Sequence, residues 1–124
     1  MPIRTLVWGE NVHEQKNKVV ADNYPQGMHN QIAKLLSEDS NIVTRTTTLQ
    51  EPEHGCTEEA LANTDVLVWW GHARHDEISA ELAKDIVARI NRGQLALIAL
   101  HSAHWSAPFV EAMHRWLLEP AGMA

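Results

Sequence analysis

Asp65-Val-Leu-Val-Trp-Trp-Gly-His-Ala-Arg-His-Asp-Glu77 is the stretch that decides the fold. Val66 to Trp70 is apolar, short, and built of β-branched and aromatic residues, which predicts a buried strand rather than a helix. The run stops at Gly71, and His72 and His75 follow with a His-x-x-His spacing. Leu95-Ala-Leu-Ile-Ala-Leu100 repeats the arrangement, an apolar run that ends in His101-Ser-Ala-His104. Open α/β sheets place their ligands just past the carboxyl ends of buried strands. Two such strands deliver four imidazoles to one edge, and that edge is the candidate site.

Working outward, Ile3 to Trp8 reads as a first strand ended by Gly9, with Glu10, His13 and Glu14 in a polar loop beyond it. Tyr24-Pro-Gln-Gly27 predicts a turn, and Met28, Ile32, Leu35 and Leu36 recur at helical spacing until Ser37 to Asn41. Ile42 to Leu49 alternates weakly and is β-branched, which suits an edge strand; His54 lies in the loop after it. Thr57 caps a short helix. A longer helix from about Ser79 gathers Ile78, Leu82, Ala83, Ile86, Val87 and Ile90 on one face, and Arg92-Gly93 closes it. After the fourth strand, Ser106 caps a last helix with Pro108 in its first turn. Val110, Met113 and Leu117 are expected to point inward, Trp116 to cover surface that further strands would bury, and Glu119-Pro120 to stop it; if the chain is a fragment, Leu117 and Leu118 are expected to be exposed.

This β-α alternation predicts a parallel sheet with right-handed crossovers. All carboxyl ends of a parallel sheet lie on one side. Glu10, His13, His54, His72, His75, His101 and His104 all follow such ends; His29 opens the first helix near the same edge, and His114 clearly lies outside the pattern.

At 124 residues the chain is expected to form one domain over residues 1–124. A net charge of −6 with no cluster of Lys or Arg argues against nucleic acid and against an anionic membrane surface. One cysteine, Cys56, forms no internal disulfide, which points to a reducing cytoplasm. Met1-Pro-Ile-Arg4 leads straight into a strand without a signal peptide, and no run reaches the ~18 apolar residues of a membrane span. Eight histidines and five tryptophans beside one Tyr and one Phe favour a site, since imidazole binds metals and moves protons near neutral pH. No Gly-x-Gly-x-x-Gly follows the first strand and the loop there is acidic, so no nucleotide is expected.

Val7-Trp-Gly-Glu-Asn-Val-His-Glu14, Tyr24-Pro-Gln-Gly-Met-His29, Glu51-Pro-Glu-His-Gly55, Asp65 to His72 with His75, and Leu100-His-Ser-Ala-His104 together resemble the ThuA-like (trehalose utilisation) family. The resemblance runs over nearly the whole chain in the family's order. It implies a three-layer, flavodoxin-like α/β fold related to the class I glutamine amidotransferases. It also implies a role in carbohydrate metabolism, acting on trehalose, a related disaccharide or a keto-sugar. Gly9 stands where the family usually carries Asn, and Cys56 where Leu is usual. Members are longer, with further strands, so the resemblance implies a sheet truncated at its C-terminus.

Two chemistries fit the histidines. His72, His75, His101 and His104, with Glu10 or His13 nearby, offer ligands for a divalent metal such as Zn²⁺, which would polarise a sugar carbonyl or hydroxyl. Alternatively, a metal-free imidazole pair moves protons on a sugar. His101 and His104 are then the leading catalytic residues, supported by His72 and Glu10, with His13, His54, Trp70, Ser102 and Trp105 holding substrate. The bland reading is a hydrogen-bonded network oriented by Asp76 and Glu77. Ser102 occupies the strand-to-helix position of the amidotransferase nucleophile, but its neighbours Leu100 and His104 are too bulky for that crowded turn; no glutaminase activity is expected. Trp8 and Trp69 are read as core, Cys56 as a buried filler, and Glu14 as solvated or supporting. The competing class is a non-catalytic sugar- or partner-binding module. The expected partner is a small sugar, and a homo-oligomer is allowed.

Overall fold

The computed structural model describes residues 1–118. Four strands, β1 (Ile3–Gly9), β2 (Ile42–Thr48), β3 (Val66–Trp70) and β4 (Ala96–Leu100), form one sheet in the order β2-β1-β3-β4. Every pairing is parallel. The helices are α1 (His13–Lys16), α2 (Lys18–Asn23), α3 (Met28–Leu36), α4 (Glu58–Ala62), α5 (Ala80–Asn91) and α6 (Ala107–Leu118). The chain moves one way from β1 to β2 and then reverses to β3. Its helices therefore divide between the two faces, giving the three layers of a flavodoxin-like α/β fold.

One face carries the larger core. Leu6, Trp8, Leu67 and Trp69 pack against Leu61 of α4 and Ile86 of α5, with Cys56 and Ile78 sealing the rim. Trp8 and Trp69 stack with ring centroids 3.8 Å apart. Burying side chains of this size stabilises by about 1.5–3 kcal/mol each. The other face is smaller, Val7 and Val68 against Ala33 of α3. Burial drives the Cys56 thiol up to about 12, so it behaves as the inert filler expected of it. At the opposite end of the sheet, Arg4 donates to the Asp65 carboxylate from both its guanidinium and its backbone N–H, holding that carboxyl down to about 2.

Local chemistry explains the elements. Ser79 accepts from Leu82 N–H at 3.1 Å and Thr57 from Ala60 N–H at 3.1 Å, so both expected caps form. Gly27 takes φ +92° as the turn from Tyr24 closes, and Gly93 takes φ +73° after α5. β2 is the edge strand its weak alternation implies.

Several expectations need correction. The polar run after His13 forms α1 and α2, because the Asn17 side chain caps α2 through the N–H groups of Val19 and Val20. Leu35 is exposed, because α3 buries His29 and Ala33 and half-buries Ile32 and Leu36 instead. β4 is outermost among the described strands, which leaves Ile98 48% exposed despite its apolar surroundings in sequence. Val110 and Met113 face outward, since α6 packs on α5 and the preceding turn and buries Pro108 instead. The Ser106 hydroxyl is buried without a partner, and only its carbonyl joins the helix, accepting from Val110 N–H. The expectations for the side chains of Trp116, Leu117 and Leu118 and for the Glu119-Pro120 stop lie outside the described residues. Among the described residues no helix is long and apolar enough to cross a membrane.

Candidate functional site

The strand order reverses between β1 and β3, and both strands end at the same level: Gly9 pairs with Trp70. A crevice opens at such a switch point. Glu10 is the first residue past β1 and is 1% exposed. Its carboxylate accepts from three successive backbone N–H groups of the loop past β3: His72 at 3.1 Å, Ala73 at 2.9 Å and Arg74 at 2.7 Å. Three consecutive amides aimed at one point form an anion-binding hollow, and Glu10 fills it from within the protein. Glu10 therefore positions the histidine loop, and its oxygens are already occupied by the backbone.

Gly71 lets this loop close tightly. A Cβ there would stand 3.3 Å from Glu10 Oε2 and 3.4 Å from His75 Cε1. The buried Ser102 hydroxyl donates to Gly71 O at 2.8 Å and fastens the loop past β4 to the loop past β3. Ser102 is thus a tie between loops, its proton already committed to a carbonyl. The left-handed backbone past β4 belongs to His101, at φ +51°. Its neighbours two positions either side are Ala99 and Ala103, small as a crowded strand-to-helix turn demands. The strand-to-helix turn is therefore centred one residue before Ser102.

The rings of His13, on α1, and His72 lie 5.2 Å apart, and His13 meets Trp70 edge-on at 6.0 Å. His75 is half-buried and its Nε2 has no partner. Burial holds its pKa below the ordinary value; Glu10 opposes this, and His72 and His104 reinforce it. His75 therefore lies within electrostatic reach of both loops' outer histidines. His104 Nδ1 lies 3.1 Å from His101 O. A carbonyl only accepts, so Nδ1 carries the proton and the Nε2 lone pair of neutral His104 is left free. His72, His101 and His104 are exposed, and Trp105, 66% exposed, lies beside His104 with ring centroids 5.1 Å apart.

His54 stays apart from this group. Its Nδ1 donates to Leu49 O at 2.7 Å and its carbonyl accepts from Trp8 Nε1 at 2.9 Å, so it anchors the loop past β2. Among the described residues no three His, Cys, Asp or Glu side chains converge on a point that could hold a metal ion. The set His72, His75, His101 and His104 shares an edge without forming a coordination sphere.

Glu14 and His29, outside the expected site, are both buried at this edge. Burial lowers the His29 pKa, opposed by Glu14. For His29 and His75 the unfolded chain binds a proton at the ordinary value of 6.5 and the folded chain only at lower pH. Between those values the unfolded state holds more protons. Stability is therefore full above the window and lost as pH falls through it. Urea midpoints should fall between ~pH 8 and ~pH 5, and His29→Gln with His75→Gln should flatten the slope; an unchanged slope would contradict this account.

Comparison with models of known families gives no match, and comparison with curated proteins gives none either.

Proposed function

We propose that this edge moves protons on an oxidised sugar, a keto-disaccharide of the kind that the ThuA-like resemblance implies. The observation that carries the reading is the His104 tautomer: Nδ1 is spent on the His101 carbonyl, so the Nε2 lone pair serves as the base. That nitrogen takes the proton from the carbon next to the sugar carbonyl, and the electron pair moves onto the carbonyl oxygen. His72, protonated, gives a proton to that oxygen and forms the enediol. His104 returns its proton to the former carbonyl carbon while His72 takes the proton from the hydroxyl of the neighbouring carbon, which becomes the new carbonyl. Both imidazoles are regenerated, and the isomerisation involves no net change of oxidation state. His13 and His75 support this pair, and Trp105 offers a flat exposed face to a sugar ring. The donor set does not fit a metal ion as arranged, and no step is routed through one.

The test is deuterium exchange in D₂O, following by NMR the proton beside the carbonyl of a keto-disaccharide. Exchange is expected with the intact protein, and His104→Gln should slow it by about 10²–10⁴-fold. A second reading, a sugar-binding module without turnover, is favoured by the exposure of His72 and His104. Binding without exchange would establish it and end the first.

A further inference from the structure

On the side of β1 toward α3, a cavity of about 320 Å³ is lined by Asn11, Glu14, Gln15, Tyr24, Gln26 and His29, among others. None of His13, His54, His72, His75, His101 and His104 lines it, nor does any Lys or Arg. Glu14 and His29 are 7% and 6% exposed. Glu14 Oε2 accepts from Met28 N–H at 3.0 Å and so caps α3 from a distant element, while Oε1 is buried and has no partner.

The second orphan is His29 Nδ1. The Asn30 side-chain nitrogen donates to Gln26 O at 2.6 Å and lies 3.3 Å from His29 Nε2. An amide nitrogen only donates, so Nε2 is the accepting nitrogen and the ring proton sits on Nδ1. Glycines make room for that ring: a Cβ at Gly27 would stand 2.8 Å from Nδ1, and one at Gly9 3.0 Å. The residues lining the cavity thus carry one unspent acceptor, Glu14 Oε1, and one unspent donor, His29 Nδ1–H. Leaving both unmet in the interior is costly, so the site selects a group that donates and accepts through one atom. A carboxylate cannot donate to Glu14, a phosphate would set further negative charge against it with no Lys or Arg to offset it, and an ammonium cannot accept from His29. An alcohol hydroxyl does both, as water does in its absence.

We propose that this cavity is a second ligand site, taking one hydroxyl of a small neutral polyol between Glu14 and His29. The amides of Asn11, Gln15 and Gln26 offer further donors and acceptors to neighbouring hydroxyls. The assignment is independent of the proton-transfer reading, because the two groups of residues do not overlap.

Titration of ¹⁵N-labelled protein with myo-inositol and with glucose tests it. Saturable shifts are expected at the Gly27 and Met28 amides and at His29 Nδ1, and not at Ala73 or Arg74. Glu14→Gln should weaken binding about tenfold or more by removing a charged acceptor. Gln26→Leu, on the outer wall, keeps the test alive if that variant fails to fold, and should weaken binding severalfold. His104→Gln should leave this binding intact. No shift with either polyol would mean that the cavity holds water only. Shifts that survive both Glu14→Gln and Gln26→Leu, or that vanish with His104→Gln, would place the polyol elsewhere; each result overturns the assignment.

Discussion

Glu10→Ala is expected to cost about 3–6 kcal/mol, because it strands three backbone donors at about 1–2 kcal/mol each once some water enters. That is a large share of the 5–15 kcal/mol by which domains of this kind are typically stable. The carboxylate is 1% exposed, and the amides of His72, Ala73 and Arg74 converge on it. Glu10→Gln keeps the shape and one accepting oxygen but turns an NH₂ toward donors, so it should cost about 1–3 kcal/mol. Urea unfolding measures both. Amide exchange at residues 72–74 separates local from global loss: in Glu10→Gln these amides should exchange faster while those of β1 and β3 keep their protection. A Glu10→Ala protein within about 1 kcal/mol of the parent would mean that the loop holds itself. Proton transfer should fall with either change, since His72 and His75 ride on this loop.

Glu10 also shows where the sequence is readable and where it is not. An apolar run that stops at a glycine marks a strand end without further knowledge, and parallel pairing then sends every strand end to one side. His13, His72, His75, His101 and His104 could be placed on a common edge for that reason. What each side chain does there depends on partners far away in the chain. Glu10 directly after a strand resembles a catalytic acid, and its true partners lie 62 to 64 positions on. Three consecutive amides past β3 needing an acceptor were the available signal. Direction was equally hidden. Asn11 and His101 take φ near +50° without being glycine, and the turn at His101 decides which residue stands at the elbow. Leu35 and Val110 obey helical spacing yet face solvent, because the period fixes which residues share a face and not which face is covered. Glu14 reads in sequence as solvated or supporting, and His29 as the opening of the first helix near the same edge. The burial of His29 follows from Gly9 and Gly27, whose missing side chains admit its ring.

Trp69→Ala should be the costliest core change, about 3–5 kcal/mol. Trp69 is 1% exposed, and its ring lies flat on Trp8 with 12° between the planes. The stacked pair adds about 0.5–1.5 kcal/mol beyond the buried area. Removing Trp69 leaves Trp8 bordering a void, free to tilt, and Trp8 has a second task. Its indole N–H holds the His54 carbonyl in a loop where Glu53 and His54 both take φ +55°. Backbone of that hand costs about 1–2 kcal/mol for each L-residue and persists only when its surroundings enforce it. Trp69→Ala should therefore release the loop over residues 52–55 as well as lower the unfolding midpoint, seen as faster amide exchange or new protease cleavage there. Trp8→Phe removes the indole N–H while keeping a stacked ring. It should free the same loop at a smaller global cost, about 1–2 kcal/mol. If Trp8→Phe leaves the loop protected, the hydrogen bond of His54 to the Leu49 carbonyl is sufficient to hold the strained turn, and the tryptophan pair is only core.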